Sequence, residues 1–349
     1  MTKETYNVAV VGATGAVGQN IVKLLEERNF PINELKLLSS KRSQGTKIMF
    51  KEQEYTVEET TNESFNDIDI ALFSAGGSVS KQFAPEAVKR GAVVVDNTSA
   101  YRMDEKVPLV VPEVNEEDLA LHQGIIANPN CSTIQMVAAL KPLKEAFGLT
   151  KVIVSTYQAV SGAGNQAVDE LRRQTEGFLN NEEVTPEILP VKAGRNHYPI
   201  AFNALPQIDV FQDNGYTFEE MKMINETRKI LHAPELKVTA TCVRLSFFTS
   251  HAESVYIEVE KAGLRTEDLW KVLENAEGIV LQDDPTNQVY PTPQSAAGEK
   301  EVFVGRVRKD LDDDKGFHLW IVSDNLLKGA AWNTVQIAER MIEKGFLLK

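Results

Sequence analysis

The run Asn7-Val8-Ala9-Val10-Val11-Gly12-Ala13-Thr14-Gly15-Ala16-Val17-Gly18 decides the fold. Asn7–Val11 is short and almost wholly apolar, which predicts a strand buried on both faces. Glycines 12, 15 and 18 follow at GxxGxxG spacing, not the commoner GxGxxG. Small residues there allow a tight turn and let backbone N–H groups approach a pyrophosphate, and the next helix adds partial positive charge. Gln19–Arg28 predicts that helix, with Ile21, Val22, Leu24 and Leu25 as its apolar side. Alone the glycine pattern is weak, and the bland alternative is a plain strand-to-helix turn. Its place between strand and helix favours nucleotide binding.

Working outward, Glu34–Ser39, Ile68–Ser74 and Ala92–Asp96 read as further continuous strands, with a helix near Ser80–Arg90. Such alternation predicts a doubly wound α/β sheet, covered on both faces. A break falls near Ile125–Cys131, and Ser132–Phe147 reads as a long helix. Lys151–Gln158, Lys237–Phe248 and Glu253–Val259 then alternate or are β-branched, which predicts an antiparallel or mixed sheet in a second domain. The polar stretch 172–214 carries no usable motif, and Asn325–Phe346 reads as one amphipathic helix.

The bulk numbers agree with two folded domains: 349 residues, 42% hydrophobic and 25% charged. A net charge of −13 argues against nucleic acid as a partner and requires local basic residues for any anionic ligand. The apolar run Val8–Val11 is too short for a signal-peptide core, and no stretch nears the roughly 18 apolar residues of a membrane span. A cytoplasmic protein without membrane contact is expected. The two cysteines, Cys131 and Cys242, with no CxxC or HxxxH spacing, predict neither a disulfide scaffold nor a metal site.

The second strand ends in Ser39-Ser40-Lys41-Arg42-Ser43 rather than in the acidic residue that NAD-binding loops place on the ribose. Arg42 beside serine hydroxyls suits a 2′-phosphate, so NADP is favoured over NAD; a solvated surface turn is the alternative. Cys131 lies in Asn128-Pro129-Asn130-Cys131-Ser132-Thr133, at the start of a predicted helix. There the helix N–H groups stabilise a thiolate, which can attack a carbonyl and carry an acyl group. Cys242, inside an alternating strand, reads as core. His251 falls between two predicted strands and is a candidate for proton transfer. Arg244, near a strand end, either faces water or pairs with a carboxylate, a substrate carboxylate being the sharper reading. Glu219 and Lys222 share a helix face at i, i+3, where a weak surface ion pair is the default. Arg102 follows the fourth strand at the sheet edge where such folds bind ligands, although a surface position is its default too.

Together GATGAVG (12–18), SSKRS (39–43), FSAGGSVS (73–80), DNTSAYRM (96–103), VPEVN (111–115), NPNCSTIQ (128–135), STYQAVSGAG (155–164), EEMKM (219–223), TCVR (241–244) with His251, and SDNLLKGAAWN (323–333) resemble the bacterial aspartate-β-semialdehyde dehydrogenases. The resemblance runs in order over nearly the whole chain, and NPNCST with STYQAVSGAG is its most specific part. It implies a Rossmann-like NADP-binding domain from residues 1–130 and 325–349, and an α+β catalytic and dimerisation domain of the glyceraldehyde-3-phosphate dehydrogenase-like type from 131–324. It implies reversible reduction of 4-phospho-L-aspartate to the semialdehyde, in lysine, threonine and methionine biosynthesis, by a homodimer. By resemblance Cys131 is the nucleophile, His251 the acid–base residue and Gln158 the group orienting the intermediate. Arg244 would bind the substrate carboxylate, Glu219 its amino group, and Arg102 and Lys222 the phosphate, with Asn130 also at the substrate. Gly12, Thr14, Gly15, Ala16, Val17, Ser40, Arg42, Ser43, Ser161, Gly162 and Asn325 would contact NADP. The nearest alternative is an N-acetyl-glutamyl-phosphate reductase. A glyceraldehyde-3-phosphate dehydrogenase fits the cofactor loop less well, and a non-catalytic NADP-binding regulator conflicts with an intact catalytic set.

Overall fold

A computed structural model describes residues 3–347. The chain divides into two compact units: one runs to Asn130 and resumes at Ala330, and the other is Cys131–Gly329. The expected break at 325 therefore falls at Gly329/Ala330 instead.

The first unit contains β1 (Tyr6–Val11), α1 (Ala16–Glu27), β2 (Ile32–Ser39), β3 (Lys47–Phe50), β4 (Gln53–Thr56), β5 (Glu58–Glu59), β6 (Ile70–Phe73), α2 (Gly77–Lys89), β7 (Val93–Asp96), α3 (Pro112–Asn115) and β8 (Ile125–Ala127). Six strands form a wholly parallel sheet in the order β5-β2-β1-β6-β7-β8, and β3 and β4 form a separate hairpin. Val8 to Val11, Ile70 to Phe73 and Val93 to Val95 are all essentially inaccessible to solvent, which is why these strands read as continuous apolar runs. The strand order reverses between β1 and β6, the place where open α/β sheets leave a crevice for ligands. The glycine loop leaves β1 at that point.

The second unit contains α4 (Cys131–Phe147), β9 (Lys151–Gln158), α5 (Asn165–Leu179), β10 (Ala204–Leu205), α6 (Phe218–Ile230), β11 (Lys237–Leu245), β12 (His251–Glu258), α7 (Thr266–Leu273), β13 (Ile279–Leu281), α8 (Pro293–Ala296), β14 (Val302–Lys309) and β15 (Gly316–Ser323). Its seven strands form a mixed sheet in the order β10-β11-β9-β12-β15-β14-β13. Helices α4, α6 and α7 pack together on the sheet. Strands β14 and β15 carry no turn signal of the Asn-Gly kind and were not expected, and the 172–214 stretch begins inside α5.

The terminal segment is not one helix. A π-helical turn, Leu327–Ala331, precedes α9 (Trp332–Lys344). Helix α9 belongs to the first unit, where Glu339 pairs with Arg28 at 3.0 Å and Asn333 Nδ2 donates to Asn128 Oδ1 at 2.7 Å. Among the described residues no helix is long and apolar enough to cross a membrane.

Candidate active site

In the first unit the glycine loop is built for close approach. A Cβ on Gly12 would meet Ala75 N and Ser74 C at 2.9 Å, and one on Gly18 would meet Gly12 O at 2.1 Å. Both positions therefore require glycine, and Gly12 also has φ +89°. Helix α1 begins earlier than expected, at Ala16, so Ala16 and Val17 form its first turn, and no side chain caps it. Its N-terminal N–H groups thus face the edge of the sheet where an anion gains most from them. Thr14 Oγ1 lies 3.0 Å from Ser39 Oγ, tying the loop to the end of β2. Beyond β2, Ser40 is exposed, and Lys41–Ser43 form a short 3₁₀ turn in which Arg42 is exposed and pairs with no acid among the described residues. These residues fit a dinucleotide, with backbone and helix terminus available to the pyrophosphate and the Arg42 guanidinium exposed beyond β2. Arg102, past the end of β7, is buried rather than on the surface and donates from Nη2 to Asn97 O at 2.8 Å. Asn130, also buried, ends this unit's first segment.

In the second unit the sequence-predicted side chains converge. Cys131 is the first residue of α4, and its Sγ lies 3.3 Å from His251 Nε2. His251 is not in a loop. It is the first residue of β12 and fully buried, and Ser250 before it takes φ +70° to deliver it there. The backbone N–H of Ala159 donates to His251 Nδ1 at 3.1 Å. A nitrogen that accepts a hydrogen bond carries a lone pair, so the neutral ring holds its proton on Nε2, facing the sulfur. Burial drives the imidazole pKa down to about 3, the nearby Arg244 charge adds to this, and Glu219 opposes it.

Arg244 is buried near the end of β11. Its Nη1 donates to Ala159 O at 2.7 Å, while its Nε has no partner. Burial lowers its pKa and Glu219 raises it. A buried guanidinium with an N–H left over can still pair with a carboxylate. Glu219 is 5% exposed, so it is no surface ion-pair member. Its Oε1 accepts from Gln158 Nε2 at 3.0 Å and its Oε2 from Lys222 Nζ at 3.3 Å. Lys222 also donates to Asp209 Oδ2 at 3.0 Å. Gln158 ends β9, and its amide further donates to Ser132 Oγ. Asn325 accepts from Ser250 N at 2.8 Å, and its Nδ2 donates to Ser161 Oγ at 3.0 Å. Gly162 packs so tightly that a Cβ would meet Arg244 Nη1 at 2.9 Å. Cys242 is buried in the core, with burial raising its thiol pKa well above the ordinary value.

Sequence reasoning missed Ala159, whose backbone sets the imidazole, because a main-chain donor leaves no residue-type signal. It also missed Gly329. A Cβ there would lie 2.8 Å from Cys131 Cβ, so the π-helical turn needs glycine to pass Cys131.

A parallel nucleotide-type sheet joined in sequence to a mixed sheet bearing a thiol–imidazole pair fits a cysteine-dependent dehydrogenase. Residues 7–122 match the semialdehyde dehydrogenase NAD-binding domain, and residues 140–328 match the semialdehyde dehydrogenase dimerisation domain. The chain is 68% identical over 335 residues to an aspartate-semialdehyde dehydrogenase of Bacillus subtilis, covering 96% of this chain and 97% of the relative. It matches the crystal structure of aspartate semialdehyde dehydrogenase II from Vibrio cholerae complexed with ASA, at TM-score 0.91 and 46% identity, over 98% of this chain and 99% of that one. It also matches the Candida albicans enzyme with NADP, at TM-score 0.76 and 27% identity, over 98% of this chain and all of that one. The chain belongs to the aspartate-semialdehyde dehydrogenase family.

Proposed function

We propose that this chain catalyses the reversible NADPH-dependent reduction of 4-phospho-L-aspartate to L-aspartate 4-semialdehyde and phosphate, as a cytoplasmic enzyme of amino-acid biosynthesis. The observation that carries the reading is Cys131 Sγ at 3.3 Å from His251 Nε2 in a unit that also buries Arg244 with a spare N–H. Cys131 attacks the acyl phosphate as its thiolate; the C–O bond to phosphate breaks and a thioester forms on sulfur. The nicotinamide, when bound, supplies a hydride to the thioester carbon. The resulting thiohemiacetal oxyanion re-forms the carbonyl, the C–S bond breaks, and the thiolate leaves with the Nε2–H of His251 donating to it. In this tautomer the imidazole acts as a donor, stabilising sulfur and the developing oxyanion.

Arg244 would hold the α-carboxylate and Glu219 the α-ammonium, with Gln158 turning its amide toward the thioester. A carboxylate seated on Arg244 offsets the charge that depresses the imidazole, so substrate makes His251 more basic. Arg102 and Lys222 would hold phosphate. Asn130 would lie at the substrate. Gly12, Thr14, Gly15, Ala16, Val17, Ser40, Arg42, Ser43, Ser161, Gly162 and Asn325 would contact NADP. Arg42 favours NADP over NAD because no acidic side chain engages it. The reading includes a homodimer. It is supported by the name of the matched dimerisation domain and by Ile153, which is 40% exposed on the central strand β9. The test is spectrophotometric: aspartate semialdehyde, phosphate and NADP should yield NADPH, and N-acetyl-glutamate semialdehyde should not. No NADPH from the aspartate compound would sink the assignment.

A further inference from the structure

Glu253 is the residue the proposed chemistry leaves unused. It lies two positions after His251 on β12, so the two side chains leave the same face of the sheet. It is fully buried, and neither carboxyl oxygen has a hydrogen bond of full geometry, the Gln135 amide being the nearest group that acts on it. Its cross-strand neighbour on β9 is Thr156, whose buried hydroxyl has no hydrogen bond of full geometry and meets the Cys242 thiol across β11. Two residues beyond Thr156 is Gln158, whose buried Oε1 also has no hydrogen bond of full geometry. On the other side Glu253 pairs with Ile321 of β15. Gln135 of α4 spans this row: its Nε2 lies 3.4 Å from His251 O and 3.5 Å from Ile321 O, and its Oε1 accepts from Ser323 Oγ at 2.9 Å. Glu253 thus shares one face of the sheet with His251, two residues before it on β12, and lies opposite Thr156, two residues before Gln158 on β9.

We propose that Glu253 is a positioning residue, a polar brace between β9 and β12 that holds Gln158 and His251 in place over the first turn of α4. A fully buried side chain with two polar atoms is costly unless it bonds to what surrounds it, and Thr156 and Gln135 are the groups within its row. Burial pushes the Glu253 carboxyl well above the usual range, and the charge of Glu219 adds to this, while the Gln135 amide opposes it. This direction favours the protonated form of the side chain. That form can donate as well as accept, and it adds no second negative charge beside Glu219.

The proposal rests on the reaction above, and the test separates the two. Wild-type turnover checks the reaction; the pH dependence of Cys131 alkylation by iodoacetamide reads the thiol's surroundings without any substrate. A carboxamide copies a neutral acid, so Glu253→Gln should keep kcat within about 3-fold of wild type and leave the alkylation profile unmoved. Glu253→Met keeps bulk but loses polarity; it should lower kcat about 10-fold or more, leave KM within about 2-fold and shift the alkylation profile. Wild-type kcat and profile in Glu253→Met would overturn the brace, as would a Glu253→Gln variant as impaired as Glu253→Met. If Glu253→Met does not fold, Thr156→Val removes the facing hydroxyl. It should lower kcat and shift the profile in the same sense, and no change would overturn the proposal.

Discussion

Adding one methyl group at Gly162 tests the packing of the candidate site most directly. The new Cβ would stand 2.9 Å from Arg244 Nη1 and 3.4 Å from Cε1 and Nε2 of His251. Ordinary contact begins near 3.4 Å, so the guanidinium must retreat by about half an ångström while the imidazole is only touched. Arg244 has little room to do so, because Nη1 is bonded to Ala159 O at 2.7 Å. The same residue's N–H holds His251, so a shift of Ala159 disturbs both groups. Displacement of a catalytic group by about 1 Å can cost about 100-fold, so Gly162→Ala should lower kcat/KM for the semialdehyde by about 10-fold. The fold should survive, since Gly162 does not use a left-handed backbone, and the lost chain freedom in the unfolded state would stabilise by about 0.4–1 kcal/mol. Steady-state kinetics, a melting curve and NADP titration measure these separately. Wild-type kcat/KM, or a loss confined to NADP binding, would refute the crowding of Arg244.

Cys131→Ala should abolish turnover and leave NADP binding intact; mass spectrometry after mixing with substrate should find an adduct on wild-type Cys131 and none on the variant. Arg42→Glu should weaken NADP by at least about 10-fold while changing NAD little, and an equal effect on both would remove the 2′-phosphate role. The imidazole of His251, with a pKa near 3, should stay neutral from pH 5 to 8 in the free protein; a ring-proton NMR titration with its midpoint near the ordinary histidine value would contradict this. The same depressed value has a stability sign. Between its folded and unfolded values the unfolded chain binds the extra proton, so this contribution is lost as pH falls from about 6.5 toward 3.

What the sequence revealed was local. The glycine spacing, the apolar β1 and the cysteine before a helix each state their physics within a few residues. The misplaced elements depend on distant partners. His251 looked like a loop residue because Thr249-Ser250 reads as a turn, yet Ser250 adopts a left-handed conformation and Asn325, far along the chain, accepts its N–H. The terminal segment looked like one helix because Gly329 is unremarkable until Cys131 is seen against it. Glu253 looked like an ordinary polar residue of an alternating strand. Only the presence of α4 over that face makes it buried. Strands β14 and β15 were hidden for a similar reason: they pair Arg308 with His318 on one face, and the apolar face acquires meaning only with the rest of the sheet.

The Asn325 amide has a consequence of its own. Its oxygen grips the backbone just before the imidazole, and its nitrogen grips the hydroxyl of Ser161. An amide is planar and rigid, so these two grips cannot rotate independently. Loss of this amide would leave the Ser250 N–H and the Ser161 hydroxyl without this shared partner at once. One side chain thus fastens the entry to β12 and the turn after Ala159, whose N–H orients the ring, to a single rigid group.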